Sequence, residues 1–251
     1  MRAPDPSAPP RGAFTPRERR LIDRLRTPAA VQAYLNALKY NTEPDVETLR
    51  SFRGVVAHHT AHCFEAAMFA CVVLEQHGYP PLVLSFESID RLDHVLFVYR
   101  SRGHWGSVAR SRDPGLHGRR PVFPTPRALA RSYVDPYIDF TGGVSAFAVA
   151  DLRNLGSYDW RFSPRNVWKA EQYLLDYPHT ALPTSASRAA QLRARYVRFR
   201  EEHEMKPVDY EGREAWTPIP VGFRRAARYP FAGPLARRRP ISRDRNPGAA
   251  A

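Results

Sequence analysis

Cysteine is scarce in this chain of 251 residues, which contains only Cys63 and Cys71. Eight residues along one helix correspond to about 12 Å of rise, whereas a disulfide requires Cα atoms within about 7 Å. The two thiols therefore cannot pair along one helix, and unpaired thiols are typical of a reducing compartment. The sequence also lacks a membrane-spanning run of about 18 apolar residues, and an apolar run of signal-peptide length near its N-terminus. We expect a cytoplasmic protein that does not bind a membrane.

Lysine is almost absent: three of the 38 basic residues are lysines and the others are arginines. The net charge of +13 would suit a polyanionic partner, yet residues 224–251 alone contain eight arginines and one aspartate, more than half of that charge. The chain lacks a recognisable groove-reading motif and a platform of interleaved aromatic side chains. The charge therefore indicates an arginine-rich composition, and nucleic acid is not the partner that we expect.

Composition divides the chain into four parts. Residues 1–13 contain four prolines and almost no large apolar side chains, which predicts a disordered N-terminus. Residues 14–178 carry most of the periodic apolar pattern and predict the folded domain. Residues 179–204 predict an arginine-rich C-terminal helix, and residues 205–251, rich in proline and arginine, predict an extended basic tail.

The secondary-structure pattern predicts an α+β fold with helices packed on a small antiparallel sheet. Four helices are expected to begin where a Ser or Thr cap precedes a proline, at Thr15–Pro16, Thr27–Pro28, Thr125–Pro126 and Ser163–Pro164. Further helices are predicted over residues 46–57 and over residues 60–78, the second ending at Gly78. Strands are predicted over residues 82–87, 92–100 and 104–110.

Cys63 lies at the start of the predicted helix over residues 60–78, with Thr60 as the expected N-cap. In the first turn of a helix, free N–H groups and the positive end of the dipole favour thiolate over thiol. His94 follows in the second predicted strand, and Asp113 follows the third. Cysteine, histidine and aspartate in this order are typical of an acyl-transfer site. Cys71, in the middle of the helix among apolar residues, is predicted to be a core residue.

A metal site is a competing interpretation of the same region. His58 and His62 are four residues apart, a spacing that places two ligands on one face of a helix, and His94 or Cys63 would supply a third. However, residue 58 precedes the predicted start of that helix, and no glutamate lies between the two histidines to act as a base. We therefore expect no metal and no cofactor. His94 also has a purely structural interpretation, as a hydrogen-bonded core residue.

Several stretches resemble the transglutaminase-like superfamily of papain-fold cysteine enzymes, and within it a set of bacterial proteins without assigned activity. The broad resemblance is a cysteine that opens a helix, a short antiparallel sheet with a histidine leading one strand, and a Gly-x-Trp turn into the next strand. The narrower resemblance covers about residues 20–178. It rests on Tyr40–Glu43, Thr48–Ser51, His62–Ala67, Asp93–Val95, Trp105–Ser111, Pro121–Pro124, Arg127–Leu129, Ser132–Tyr133 and Arg165–Lys169.

The resemblance implies that Cys63 is the nucleophile and His94 the general base of a hydrolase or acyltransferase. Such an enzyme acts on an amide, isopeptide or thioester through an acyl-cysteine intermediate. The family's third residue is the aspartate of a Trp-x-x-x-Asp-Pro pattern, but that position here is Ala109. The nearest Asp-Pro pair begins at Asp113, which we choose as the third catalytic residue over Ser111. Ala109 leaves a second hypothesis open, a catalytically inactive transglutaminase-like interaction domain.

Arginines between residues 101 and 131 are expected to lie beside this site and to favour an anionic peptide or protein substrate. They are Arg102, Arg110, Arg112, Arg119, Arg120, Arg127 and Arg131.

Overall fold

The computed structural model describes residues 3–88, 94–111, 114–137 and 143–202. In these ranges the helices are α1 (Pro16–Arg24), α2 (Pro28–Ala37), α3 (Phe52–His58), α4 (Cys63–Glu75), α5 (Pro126–Val134), α6 (Trp168–Asp176) and α7 (Ala186–Glu202). The strands are β1 (Lys39–Tyr40), β2 (Thr60–Ala61), β3 (Leu82–Glu87), β4 (His94–Ser101), β5 (His104–Val108), β6 (Ala146–Asp151) and β7 (Thr180–Ala181). Asp93, Arg112, Asp113 and the predicted tail of residues 205–251 lie outside the described residues.

The main sheet is antiparallel, with the strand order β5-β4-β3-β6-β7, and β1 and β2 form a separate parallel pair. Arg102 and Gly103, both with positive φ, close the turn between β4 and β5. Two such residues in succession match the twist of a tight antiparallel hairpin. The α+β class and the three predicted strands are therefore confirmed, whereas β6 and β7 were not predicted.

Three of the four predicted Ser/Thr-Pro helix starts are confirmed. Thr15, Thr27 and Thr125 each accept a hydrogen bond from the backbone N–H three residues later. The fourth is wrong, because Ser163 Oγ accepts from the N–H of Arg165 in a local turn and α6 begins only at Trp168. The predicted helix over residues 46–57 also begins late, at Phe52, with Ser51 as its cap.

Helix α4 lies at the centre of the domain and packs against α3, α2 and strand β4. Every residue from Phe64 to Glu75 is buried, and Cys71 is fully buried, as predicted. The helix contributes to a core on one face of the sheet, and α5 helps to cover a second core on the other. None of the helices in the described ranges is long and apolar enough to cross a membrane.

The N-terminal segment departs from the prediction of disorder. Asp5 is buried, and its N–H donates to the carbonyl of Glu75 at 2.7 Å. The side chain of Gln76 donates to the carbonyl of Pro9 at 2.8 Å. Residues 3–13 thus lie against the end of α4 through hydrogen bonds to their backbone. The scarcity of large apolar side chains in this segment gives no sign of such contacts.

Candidate active site

Cys63 is the first residue of α4, in the first turn as predicted. Its N-cap is His62, while Thr60, the predicted cap, lies in β2. The Cys63 side chain is partly accessible, in contrast to the buried residues that follow it. Because the first N–H groups of a helix have no partner within the helix, the Cys63 N–H is available to a group bound at the thiol.

Two histidines act on the Cys63 thiol, and the sequence pointed to only one of them as its catalytic partner. Burial raises the pKa of Cys63, but hydrogen bonds to His62 and His94, together with the charges of both rings, hold this pKa well below its ordinary value. The cysteine is therefore set up to exist as a thiolate, the form that acts as a nucleophile.

His62 is held between the Thr48 carbonyl and Cys63. Its Nε2 lies 2.6 Å from the carbonyl oxygen of Thr48, to which only an N–H can donate. Burial lowers the pKa of His62, but the hydrogen bond and charge of Cys63, the charge of Glu65 and the Thr48 carbonyl together raise it to about 9. Near neutral pH, His62 is thus an imidazolium beside a thiolate.

Glu65 joins His62 to the loop that precedes α3. Its carboxylate is fully buried and accepts from the Thr48 hydroxyl at 2.8 Å and from the Asn41 amide at 3.1 Å. It also accepts from the backbone N–H of His62 at 3.2 Å and of Arg50 at 3.3 Å. A buried carboxylate with this many donors fixes the positions of all of them. Glu65 thereby fixes the entry into α4.

His94 is the first residue of β4 and is almost fully buried. Its ring stacks on Phe86, with centroids 6.3 Å apart and an angle of 4° between the planes. Its Nε2 lies 3.0 Å from the carbonyl oxygen of Leu116. Because a carbonyl can only accept, Nε2 carries the proton and Nδ1 is the nitrogen left to face Cys63.

The Leu116 carbonyl is held in place by a fully buried arginine. Arg119 donates to the carbonyls on either side of Leu116, those of Gly115 at 2.5 Å and His117 at 2.6 Å. The backbone of Arg119 also pairs with that of Ser107 in β5. Arg119 is therefore an internal brace for this segment.

In the described part of the site, no side chain takes the place of Asp113 as the partner of His94. Asp113 lies outside the described residues. Ser111 is buried, and its carbonyl accepts from His117 Nε2 at 2.9 Å. Ala109 is held by Gln32, whose amide donates to its carbonyl and accepts from its N–H. The partner that the structure gives to His94 Nε2 is the backbone oxygen of Leu116.

The predicted set of arginines beside the site needs correction. Arg119 is fully buried, and Arg110 donates to the carbonyls of Ser111 and Leu38, at 2.6 and 3.2 Å. Arg119 is thus internal, and the half-buried Arg110 is engaged by backbone carbonyls, so neither is free to attract a substrate. Arg112 lies outside the described residues.

Glu171 in α6 lies close enough to the site to interact with it. Burial raises the pKa of Glu171, Glu47, Glu43 and Cys63 raise it further, and His62 lowers it. Charges of both signs thus lie near the thiol, and an anionic substrate stays a prediction.

The metal hypothesis is not supported by the geometry. Within the described ranges, no group of three or more His, Cys, Asp or Glu side chains could hold a metal ion. His58 lies at the end of α3 and His62 caps α4, so the two are not on one helix face. The Nε2 of His62 is also engaged by Thr48.

Sequence reasoning missed three contributors to the site: His62 as a partner of Cys63, the Leu116 carbonyl and the Arg119 brace. His62 had a usable signal, since a polar residue followed three positions later by glutamate is the pattern of a capping box. The other two had none, because every residue carries a carbonyl and a buried arginine is indistinguishable in sequence from an exposed one.

The sequence matches no family model, and a search of curated proteins finds no match either.

Proposed function

We propose that the protein is a cysteine-dependent hydrolase or acyltransferase that acts on an amide, isopeptide or thioester, with Cys63 as its nucleophile. The observation that carries the proposal is the position of Cys63 at the N-terminus of α4 between His62 and His94, where its pKa is held well below the ordinary value. Cys71 is an internal comparison, since burial and nearby charge raise its pKa well above the ordinary value.

The reaction begins with attack of the Cys63 thiolate on the carbonyl carbon, which forms a C–S bond and an oxyanion. The N–H of Cys63 is available to stabilise that oxyanion. The bond to the leaving group then breaks, and the proton that His94 has taken from the Cys63 thiol passes to the departing nitrogen or sulfur. Water or an amine then attacks the acyl-cysteine, gives its proton to His94 and releases the thiolate.

The two histidines divide the proton chemistry. His62, with a pKa of about 9, keeps its proton near neutral pH and stabilises the thiolate. His94 has one ring nitrogen engaged by Leu116 and the other available to Cys63, which suits the predicted general base. A carbonyl at Nε2 fixes the tautomer as an aspartate would, but carries no negative charge to stabilise the imidazolium.

A transglutaminase-like core is the fold that we propose for this site. Its support is a cysteine at the start of a central helix, followed by an antiparallel sheet in which the histidine leads a strand. The stretches 40–43, 48–51 and 62–67, which carry part of the resemblance, also meet around Glu65.

A catalytically inactive interaction domain is the second candidate. It is favoured by the nearly complete burial of His94 and by the neutral carbonyl at its Nε2. Such a histidine could serve packing without passing a proton to a leaving group.

Acylation by 4-nitrophenyl acetate separates the two candidates. We expect rapid release of one nitrophenolate per chain and an acetyl group on Cys63, located by peptide mass spectrometry. Turnover should follow, accelerated by added glycinamide if an amine resolves the intermediate.

Cys63→Ala should abolish the burst, and Cys71→Ala is the matched control that should retain it. Acylation without turnover would favour the inactive domain. Acylation of Cys63 no faster than that of the unfolded chain would refute the proposed chemistry.

A further inference from the structure

A cleft of about 500 Å³ lies between α1, α2 and the end of α3, apart from the Cys63 site. Its charged wall is formed by Arg17, Arg20 and Arg24. At positions i, i+3 and i+7 of a helix, these side chains share one face of α1. Three arginine side chains therefore line one side of the cleft.

These positive charges are not neutralised by the acids of their own helix. Glu18 is paired with Arg53 at 2.8 Å, and Asp23 is paired with Arg11. In the described ranges no ion pair joins the three cleft arginines to a carboxylate. Like charges three and four residues apart disfavour a helix.

Arg17 is also placed where the helix itself disfavours a cation. It lies in the first turn of α1, near the positive end of the helix dipole. Its guanidinium donates to His59 Nε2 at 2.6 Å, from across the cleft. His59 has a left-handed backbone, with φ of 57°, a conformation that few non-glycine residues adopt. This end of the cleft is thus built from two unfavourable local arrangements.

The floor of the cleft is apolar and aromatic. Tyr34 lines it and stacks on Phe69 of α4, with ring centroids 5.1 Å apart. Leu21, Ala37, Leu38 and Val56 also line it. Burial raises the pKa of Tyr34, and the charges of Arg24 and Arg17 partly oppose this rise.

We propose that this cleft binds a small molecule with a doubly charged anionic head and an apolar or aromatic body. Guanidinium groups bind phosphate and carboxylate through paired hydrogen bonds, and three of them match more than one negative charge. The volume falls in the usual range for small-molecule sites, about 300–1,000 Å³. The head contacts the α1 arginines, and the body lies over Tyr34. The proposal does not rest on the chemistry of Cys63.

Isothermal titration with phenyl phosphate tests the site, at an ionic strength of about 0.15 M so that long-range attraction is screened. We expect one site per chain. Replacing all three arginines, as Arg17→Gln/Arg20→Gln/Arg24→Gln, should weaken binding by at least about tenfold, because hydrogen bonds to a charged group are lost. The single change Arg20→Gln should weaken it less and serves if the triple variant fails to fold.

The matched control is Arg120→Gln/Arg131→Gln/Arg165→Gln, which removes the same charge from exposed positions outside the cleft. It should bind phenyl phosphate within about twofold of the wild type. Inorganic phosphate should bind several-fold more weakly than phenyl phosphate, since it has no body to cover the floor.

Phthalate, which carries two carboxylates on a benzene ring, identifies the anionic group that the cleft prefers. If phthalate binds more tightly than phenyl phosphate, the preferred group is a dicarboxylate; if it binds more weakly, the preferred group is a phosphate. Equal losses in the two triple variants would overturn the proposal, because bulk charge would then explain the binding. Absence of binding by both aromatic dianions would overturn it as well.

Discussion

The pH dependence of Cys63 alkylation is the most direct measure of the paired histidines. An ordinary thiol has a pKa of about 8.5, so its thiolate fraction falls about a hundredfold between pH 7.5 and 5.5. The pKa of Cys63 is held well below the ordinary value, so its thiolate should predominate through this window. We expect the rate of alkylation to change by less than about threefold over the same two pH units.

The pKa of His62 sets the pH above which the alkylation rate should no longer stay nearly constant. Its pKa is raised to about 9, so the imidazolium is present below that pH and is lost as the pH rises through it. The thiolate then loses its partner and becomes more basic and more nucleophilic. The alkylation rate should therefore rise again above about pH 9.

Replacing each histidine in turn measures how far it lowers the pKa of Cys63. His62→Gln removes the hydrogen bond that lowers this pKa most, and His94→Gln removes the hydrogen bond with the second-largest effect. Each change should restore part of the pH slope, at least about tenfold between pH 5.5 and 7.5 for His62→Gln. The double variant should restore the full hundredfold slope, the most that one thiol can show over two pH units, because neither histidine then opposes burial.

Iodoacetamide under pseudo-first-order conditions, with the product located on Cys63 by peptide mass spectrometry, provides the assay. Cys71→Ala is the background, so that only one thiol reacts. A hundredfold slope in this otherwise unmodified protein would refute the reasoning, since Cys63 would then be an ordinary thiol. Flat profiles in both single variants and in the double variant would show that the helix terminus, and not the histidines, lowers the pKa.

Two further predictions concern the packing around the site. Burial raises the pKa of Glu75 to about 7 although Arg161 lowers it, so the folded state binds this proton more tightly than the unfolded chain does. Stability from this group is fully present below pH about 4.5 and is lost as the pH rises through about 7, by about 3 kcal/mol. Urea unfolding from pH 4 to 8 should show this loss, and Glu75→Gln should remove it; a wild-type curve that rises over the same window would contradict the assignment. Arg119→Met should destabilise the fold by roughly 2–4 kcal/mol, since it leaves buried carbonyls unpaired, and should steepen the pH profile of Cys63 alkylation as His94→Gln does. Loss of stability with an unchanged profile would mean that the brace does not position Leu116.

Local sequence determined where most helices begin. A Ser or Thr cap before proline acts within a few residues, and Thr15, Thr27 and Thr125 cap helices as predicted. Ser163 fails because its hydroxyl is used in a tight turn with Arg165, a competing arrangement for the same side chain. Cys63 lies in the first turn of its helix for an equally local reason, since the apolar stretch that must be buried starts there.

Tertiary structure decided the chemistry of the site. Strand β6 joins the sheet through pairing with β3, about sixty residues earlier in the chain, and such a distant partner leaves little trace in a local pattern. The partner of His94 is a backbone carbonyl, held by an arginine whose burial depends on the packing of α5 against β5. The spacing of Arg17, Arg20 and Arg24 is visible in the sequence, but the cleft needs Tyr34 from α2 and His59 from the end of α3. Residue types and spacing thus supplied the candidate nucleophile and base, whereas the groups that orient and charge them are set by contacts between distant segments.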